Sequence, residues 1–154
     1  MTTTIRELLR RQLLDVARGT RRLIDRVPRD QLDWALRDDM FTLRQLIAHL
    51  GTISGLTAKG IVLGSWQRPP RETFESVDAV LKAFDESIEE AERQLDALSD
   101  SEFFGRTIRS PWGAEMTVAR AFEALIEHDI HHRTQLYLYL RQLGEELTSQ
   151  DLFG

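Results

Sequence analysis

The sequence predicts an all-α protein built as a four-helix bundle. Four segments carry apolar residues at steps of three and four, which is the period of a helix with one buried face. No segment of any length shows the alternating pattern of a strand. With 154 residues, the chain is long enough for one domain with a real core and too short for two. We therefore expect a single helical domain over residues 1–154.

The first two predicted helices have clear boundaries. Periodicity predicts the first helix over residues 4–26, and Pro28 ends it because a proline pushes its predecessor out of the helical region. The second begins after Thr42, since Thr42 and Gln45 have the spacing of a capping box, and it fades between residues 60 and 64. Each helix is long enough to span a small bundle.

The second half of the chain repeats this pattern after a clear break. Residues 65–75 contain two adjacent prolines and cannot be helical, and the third helix is predicted over residues 76–98. Residues 99–116 are predicted to form a turn and then an extended loop or small irregular hairpin. The fourth helix is predicted over residues 117–143, before a glycine stop. The polar tail 145–154 either docks on the bundle or frays.

Three glycines interrupt the second predicted helix. Gly51, Gly55 and Gly60 each lower helix propensity by about 1 kcal/mol relative to alanine. Bare backbone at these positions indicates that another helix or a ligand approaches closely, or simply that the helix packs tightly.

Charge is unevenly distributed along a chain whose net charge is −5. Residues 1–26 contain seven arginines against three acids, whereas residues 72–102 contain eleven acids against two bases. The basic segment is either a solvated helix face or a surface for phosphates; alternatively, the two segments face each other across the fold. The negative total disfavours nucleic acid as the main partner.

The composition also bounds location and chemistry. Cysteine is absent, which excludes disulfides, thiolate metal ligands and a thiol nucleophile that belongs to the protein itself. The charged, amphipathic N-terminus is unlike a secretory signal, and no apolar run approaches the roughly 20 residues of a membrane span. We therefore expect a cytoplasmic protein without a membrane partner.

Three of the four histidines lie in the stretch 125–136. His128 and His132 are four residues apart, so a helix stacks them on one face, roughly 40° apart around its axis. That face also carries an apolar stripe, which consists of Val118, Phe122, Leu125, Leu136, Tyr139 and Leu143. The fourth histidine, His49, lies on the apolar side of the second predicted helix. Three imidazoles from two helices that point into one core predict a metal site with His49, His128 and His132 as ligands.

Two other interpretations of these histidines stay open. The first is a set of core histidines that hydrogen-bond to the backbone or to Gln45 and Gln135, where each unpartnered ring would cost about 1–3 kcal/mol. The second makes His131 a ligand if the helix is rotated, although it lies about 100° from His132 around the axis. Three histidine ligands would leave a fourth position open, as in catalytic zinc sites. No glutamate follows the first histidine in an H-E-x-x-H arrangement, so a zincin-type protease is not expected.

Two motifs resemble the DinB/YfiT-like superfamily. Residues 42–50, Thr-Leu-Arg-Gln-Leu-Ile-Ala-His-Leu, look like its second-helix motif. Its fourth-helix entry and metal motif are similar to residues 111–117, Pro-Trp-Gly-Ala-Glu-Met-Thr, followed by His128-x-x-x-His132-Arg133-x-Gln135-Leu136-Tyr137. The resemblance covers nearly the whole chain, with Thr134 where many relatives have glycine. It implies an up-down-down-up bundle, often homodimeric, that holds a divalent metal at His49, His128 and His132. Members with known activity include isomerases and S-transferases that use low-molecular-weight thiols.

The residues and the resemblance together lead to an expected function. A zinc or nickel ion would activate a low-molecular-weight thiol from solution, which would make the protein a thiol-dependent S-transferase or isomerase. Arg44 and Arg133 are the predicted catalytic residues that hold a substrate carboxylate, and Trp66 and Trp112 are predicted to line the mouth of the binding pocket. The alternatives are a metal-dependent hydrolase with activated water and a non-catalytic dimeric bundle that binds metal or a small ligand. The expected partners are a small-molecule substrate and a second copy of the chain.

Overall fold

The computed structural model describes residues 4–153, which form six α-helices and one small sheet. The helices are α1 (Ile5–Asp25), α2 (Leu43–Leu63), α3 (Val77–Asp96), α4 (Asp100–Gly105), α5 (Val118–Gln142) and α6 (Ser149–Phe153). The strands are β1 (Thr107–Arg109) and β2 (Glu115–Thr117). The four long helices agree with the four predicted segments to within a few residues at each end. The structure therefore confirms the all-α four-helix bundle.

Helices α2 and α3 run parallel and in close contact. A Cβ added at Gly51 would lie 3.2 Å from Val80, and one added at Gly55 would lie 2.8 Å from the carbonyl oxygen of Ser87. Residue numbers thus increase in the same direction along both helices. The backbone N–H of Gly55 also donates a hydrogen bond to Ser87 Oγ, 2.8 Å away. Gly51 and Gly55 are therefore needed because a neighbouring helix lies against the backbone of α2, whereas Gly60 lies against the following loop, 3.2 Å from Trp66 Cα for an added Cβ.

Helix α1 runs antiparallel to α3, and complementary charges line the contact. Arg10 Nε lies 3.0 Å from Glu92 Oε1, and Arg21 Nε lies 2.7 Å from Asp85 Oδ1. Of the possibilities left open by the sequence, the structure shows the one in which the basic and acidic segments face each other. Exposed pairs of this kind contribute about 0–1 kcal/mol each, so their main effect is to favour one arrangement of the helices over others.

Helix α5 runs antiparallel to α2, which completes the topology. Tyr139 near the end of α5 donates its hydroxyl hydrogen bond to the carbonyl oxygen of Phe41, just before α2, at 3.0 Å. At the other end, Arg106 donates to the carbonyl oxygen of Ile61 at 3.3 Å. Because α1 opposes α3, α3 parallels α2 and α5 opposes α2, the bundle is up-down-down-up. The link between the parallel helices must therefore travel back along the length of the bundle.

Buried polar side chains separate two apolar clusters within the bundle. One cluster includes Leu46, Ile47 and Leu50 of α2 and Leu136, Tyr139 and Leu140 of α5. The other includes Ala58 and Ile61 of α2 and Val118, Phe122 and Leu125 of α5. Between them along these two helices lie the buried polar residues Ser54, Thr57, Asp129 and Arg133. The same stretches of α2 and α5 carry the histidines.

Residues 99–117 contain more regular structure than the sequence pattern indicates. The expected turn before Phe103 is the short helix α4, which begins after Ser99 because its hydroxyl and the Glu102 carboxylate form a capping box. The expected small hairpin is present, with β1 antiparallel to β2. Its turn contains Gly113 at a φ of 89°, a conformation that glycine adopts without strain.

The C-terminal tail docks on the first helix. Arg26 binds Glu145 and Asp151, each at 3.1 Å, and Leu147 is buried in the core. Arg22 donates to the carbonyl oxygen of Asp151 at 3.3 Å. Of the two possibilities left by the sequence, docking is therefore the one that the structure shows.

Helix α2 is long and apolar enough to cross a membrane by length and composition alone. The expectation from the sequence was that no apolar run approaches the length of a membrane span, so this helix differs from it. Most of its apolar window is buried inside the bundle, between α3 and α5. Packing against two neighbouring helices accounts for the apolar composition, as it does for the central helix of many bundles.

The contact between α2 and α3 leads to a testable prediction about stability. Gly55→Ala should lower the free energy of unfolding by about 1–3 kcal/mol, because the new methyl group meets the rigid backbone of Ser87. Gly51→Ala is the matched control, since its methyl group meets the movable Val80 side chain at 3.2 Å. Urea denaturation of both variants would measure the difference. Equal or opposite changes would contradict the close approach.

Candidate metal centre

The three predicted ligands come together in the middle of the bundle. His49 lies on α2, and His128 and His132 lie one turn apart on α5, which runs antiparallel beside it. His49 Nε2 is 3.3 Å from His128 Nε2. One ring nitrogen from each of the three histidines lies within 4.8 Å of the others. The helical spacing of the sequence and the antiparallel packing of α2 on α5 together produce this triad.

The geometry of the triad fits a single divalent ion. Tetrahedral zinc with bonds of about 2.0–2.1 Å places neighbouring ligand nitrogens about 3.3 Å apart. His49 and His128 have that separation. The ring centroid of His132 lies 4.6 Å from that of His49 and 4.5 Å from that of His128, so a small inward movement of one ring closes the set. The triad could therefore hold one metal ion.

A hydrogen bond orients one of these rings for coordination. His132 Nδ1 lies 3.0 Å from Gln135 Oε1, and an amide oxygen only accepts, so the nitrogen carries the proton. That tautomer leaves the lone pair on Nε2. The interpretation of the histidines as hydrogen-bonded core residues is thus partly realised at Gln135. Gln45 instead accepts a hydrogen bond from the backbone of Thr42 in the helix cap.

His131 does not belong to the triad. Its ring lies 4.8 Å from that of His132, but its side chain is exposed. The helix is therefore oriented as the apolar stripe of α5 predicts.

The environment of the triad keeps two of its imidazoles neutral. Burial lowers the pKa of His49 to about 4, and the neighbouring charges of His128 and Arg71 act in the same direction. Burial lowers the pKa of His132 to about 3, with a further contribution from His128, while the hydrogen bond to Gln135 acts in the opposite direction. Near neutral pH both rings therefore have a lone pair free, which is the form that a metal ion requires.

The triad opens into a cavity of about 390 Å³. Besides the three histidines, its lining consists of Phe41, Ile53, Thr57, Trp66, Gln67, Arg68, Pro69, Arg71, Pro111, Trp112, Ala124 and Leu125. Trp66 and Trp112 meet edge to face with ring centroids 5.1 Å apart. Trp66 is buried, whereas Trp112 is 59% exposed. Both tryptophans line the cavity, but only the exposed Trp112 lies at the mouth where both were expected, whereas Trp66 is part of the buried wall.

The two arginines selected from the sequence lie elsewhere. Arg44 forms an ion pair with the exposed Asp33 at 3.0 Å. Arg133 is buried against the tail, where it donates to the carbonyl oxygen of Leu152 at 3.4 Å and lines a separate cavity. Neither lines the cavity of the triad, which corrects the expectation that both lie beside the histidines. The reason is their position around each helix. Arg133 lies about 100° from His132 and faces α1 and the tail, and Arg44 lies about 140° from His49 and faces Asp33.

Two arginines that were not selected from the sequence lie where Arg44 and Arg133 were expected, beside the histidines. Arg68 and Arg71 line the cavity, and the guanidinium of Arg71 lies 5.6 Å from the ring centroid of Phe41. Within the described part of the chain, neither forms an ion pair with an acid. From the sequence, this segment was expected only to interrupt the helices and to cross the end of the bundle. The run Arg68-Pro69-Pro70-Arg71 does contain a signal for this position, because the prolines hold two cationic side chains on a stiff, non-helical segment.

Comparison with known proteins assigns this chain to a family. Residues 12–136 match the model of the DinB superfamily, which covers well over half of the chain. The chain therefore belongs to the DinB superfamily, and the resemblance drawn from its motifs is confirmed.

Individual relatives agree with this assignment. YjoA of Bacillus subtilis (strain 168), an uncharacterised protein, is 25% identical over 133 residues, which cover 81% of this chain and 82% of YjoA. The crystal structure of YjoA has a TM-score of 0.73 at 19% identity, over 91% of this chain and 94% of that one. YfiT from Bacillus subtilis is described as a probable metal-dependent hydrolase with an unusual four-helix bundle topology. It has a TM-score of 0.72 at 19% identity, over 92% and 89% of the two chains. These structural likenesses show the fold.

The lowered pKa values predict how stability depends on pH. Between pH 6.5 and about 4, the unfolded chain protonates His49 and His132 while the folded chain does not, so the free energy of unfolding falls as the pH falls. A His49→Gln/His132→Gln variant should lose less stability over this range. Thermal melts of both proteins in chelator from pH 7 to pH 4.5 would measure it. Parallel losses in the two proteins would contradict the assignment of neutral, half-buried imidazoles.

Proposed function

We propose that this protein is a divalent-metal-dependent enzyme that uses a low-molecular-weight thiol on a small anionic substrate. One observation carries the proposal. Three imidazoles, two of them held neutral, converge at the wall of an apolar cavity that arginines line and to which no carboxylate contributes. A zinc or nickel ion at His49, His128 and His132 would supply a positive charge that lowers the pKa of a bound thiol from its usual value of about 8.5.

The side chains around the triad would place the reactants. Trp66, Trp112 and Phe41 provide flat apolar surface, and burial of that surface excludes water from the reacting atoms. Arg68 and Arg71 carry positive charge beside the histidines, so they take the role of carboxylate binding first expected for Arg44 and Arg133. The protein has no cysteine, so the thiol would come from solution.

A second candidate is hydrolysis by metal-activated water, which the description of YfiT favours. Metallohydrolases commonly use a glutamate or histidine near the metal as general base. The residues that line this cavity include no glutamate or aspartate, and its histidines are the proposed ligands. A thiol that loses its proton to solvent before the reaction needs no such base. This difference favours the thiol as the nucleophile. The third candidate is a non-catalytic bundle that binds metal or a small ligand.

The proposal includes a cellular setting. We propose a cytoplasmic homodimer without nucleic acid or membrane partners. The negative net charge and the absence of cysteine support this setting. Exposed large apolar side chains that could take part in a dimer contact are Leu8, Leu56, Leu63, Phe104 and Leu138.

The ligand set predicts which histidine variants lose metal. Protein purified without an affinity tag should contain about one zinc or nickel per chain, and His132→Ala should contain almost none, because two imidazoles bind a divalent ion weakly. His131→Ala is the matched control and should retain the metal, since that ring is exposed and outside the triad. Elemental analysis by mass spectrometry would measure all three proteins. Equal metal content in the two variants would refute the assigned ligands.

The cationic cavity predicts a preference for anionic thiols. Titration of Co²⁺-loaded protein with N-acetylcysteine should produce a sulfur-to-metal charge-transfer band at lower concentration than titration with neutral 2-mercaptoethanol. Arg71→Gln should weaken binding of N-acetylcysteine roughly fivefold, which corresponds to about 1 kcal/mol for a partly exposed charge pair.

The control for this titration is Arg44→Gln, which removes an arginine outside the cavity and should leave both titrations unchanged. Absence of a band with any thiol, combined with turnover of esters or amides by the metal-loaded protein, would support the hydrolase instead. Absence of both activities would support the binding bundle.

A further inference from the structure

Asp129 is a buried acid directly beside the triad. Its side chain lies between α2 and α5 and is only 5% exposed. One carboxylate oxygen, Oδ2, accepts a hydrogen bond from Ser54 Oγ at 2.7 Å. The other, Oδ1, is buried and has no partner within hydrogen-bond distance. An unpartnered buried oxygen costs about 1–3 kcal/mol, so a donor close to Oδ1 would stabilise the fold.

A donor of the right kind faces that oxygen. His128 Nδ1 lies 3.7 Å from Asp129 Oδ1 and is also buried without a partner. A rotation that brings the two atoms about 0.5–1 Å closer would form a normal N–H···O bond. Two unpartnered buried atoms, one able to donate and one able to accept, would then satisfy each other.

This bond would also determine the chemistry of His128. A neutral imidazole carries one proton, and a proton held on Nδ1 by Asp129 leaves the lone pair on Nε2. Nε2 is the atom that lies 3.3 Å from His49 Nε2, at the centre of the triad. His132 has the same arrangement, with Gln135 as the acceptor at its Nδ1. With that bond formed, the two ligands on α5 would be oriented by two different acceptors, a carboxyl oxygen and an amide oxygen.

We infer that Asp129 is a positioning residue for the metal ligand His128, and that Ser54 holds its carboxylate in place. The inference rests on the proposed metal site but concerns a residue outside the ligand set. A carboxylate behind a ligand histidine orients the ring and raises the basicity of the coordinating nitrogen. Asp129 adds this effect from the core side, where α2 and Ser54 prevent its carboxylate from rotating away.

The first experiment measures zinc affinity by competition with a chromophoric chelator at pH 7.5. Asp129→Ala should weaken zinc binding about 10- to 100-fold, and Asp129→Asn should weaken it less, because an amide oxygen still accepts from Nδ1. Ser54→Ala should give a smaller loss in the same direction. The matched control is Glu127→Gln, since Glu127 is exposed on the same helix and pairs with Arg120 at 3.0 Å. An unchanged affinity in Asp129→Asn, Asp129→Ala and Ser54→Ala would overturn the inference.

A second measurement does not depend on metal. Long-range ¹H–¹⁵N NMR spectra of metal-free protein with assigned histidines report which ring nitrogen of His128 carries the proton. We expect Nδ1–H in the wild type and an increased share of Nε2–H in Asp129→Asn and Ser54→Ala. Nε2–H as the main form in the wild type would overturn the inference. If the wild type binds no metal while the tautomer behaves as expected, the proposed function fails and the contact between Asp129 and His128 stands.

Discussion

The partial burial of three imidazoles between two apolar clusters is the constraint on which the rest of this structure depends. A polar ring in such a layer destabilises the fold unless its nitrogens find partners. Gln135 supplies one partner to His132, and Asp129 lies beside His128 with its own support from Ser54. One ring nitrogen of each histidine lies within 4.8 Å of the other two, so a single cation there would give all three a partner. Stability and metal binding are thus connected through the same atoms.

The unusual order of the helices builds the remainder of the site. Because α2 and α3 are parallel, the chain must return along the bundle between Leu63 and Val77. That return segment contains no regular structure and covers the triad with Trp66, Arg68 and Arg71. An up-down-up-down bundle with short loops would have no segment available for this purpose. The topology therefore supplies the wall of the cavity, while the helices supply the ligands.

Partial burial of the triad has two effects on its chemistry. Removal of the rings from water lowers the pKa values of His49 and His132, and this keeps their lone pairs available near neutral pH. It also places the histidines at the wall of a largely apolar cavity, which the exposed and water-screened side chains of Arg68 and Arg71 also line. An anionic reactant would therefore encounter two cationic side chains before it reaches the histidines.

The sequence by itself determined the four long helices, their caps and the three histidines of the triad. All of these depend on local rules: the helical period, the hydroxyl–amide spacing at a helix start, and the spacing of His128 and His132. The opposite charges of the segments that form α1 and α3 were also evident from composition, although their contact was only one of the possibilities left open. The tertiary structure alone decided that Arg68 and Arg71 reach the cavity while Arg44 and Arg133 do not, and that Ser54 of α2 meets the buried carboxylate of Asp129 beside His128. The physical reason is that these features depend on which elements meet after a long link has crossed the bundle, and no local period encodes that path.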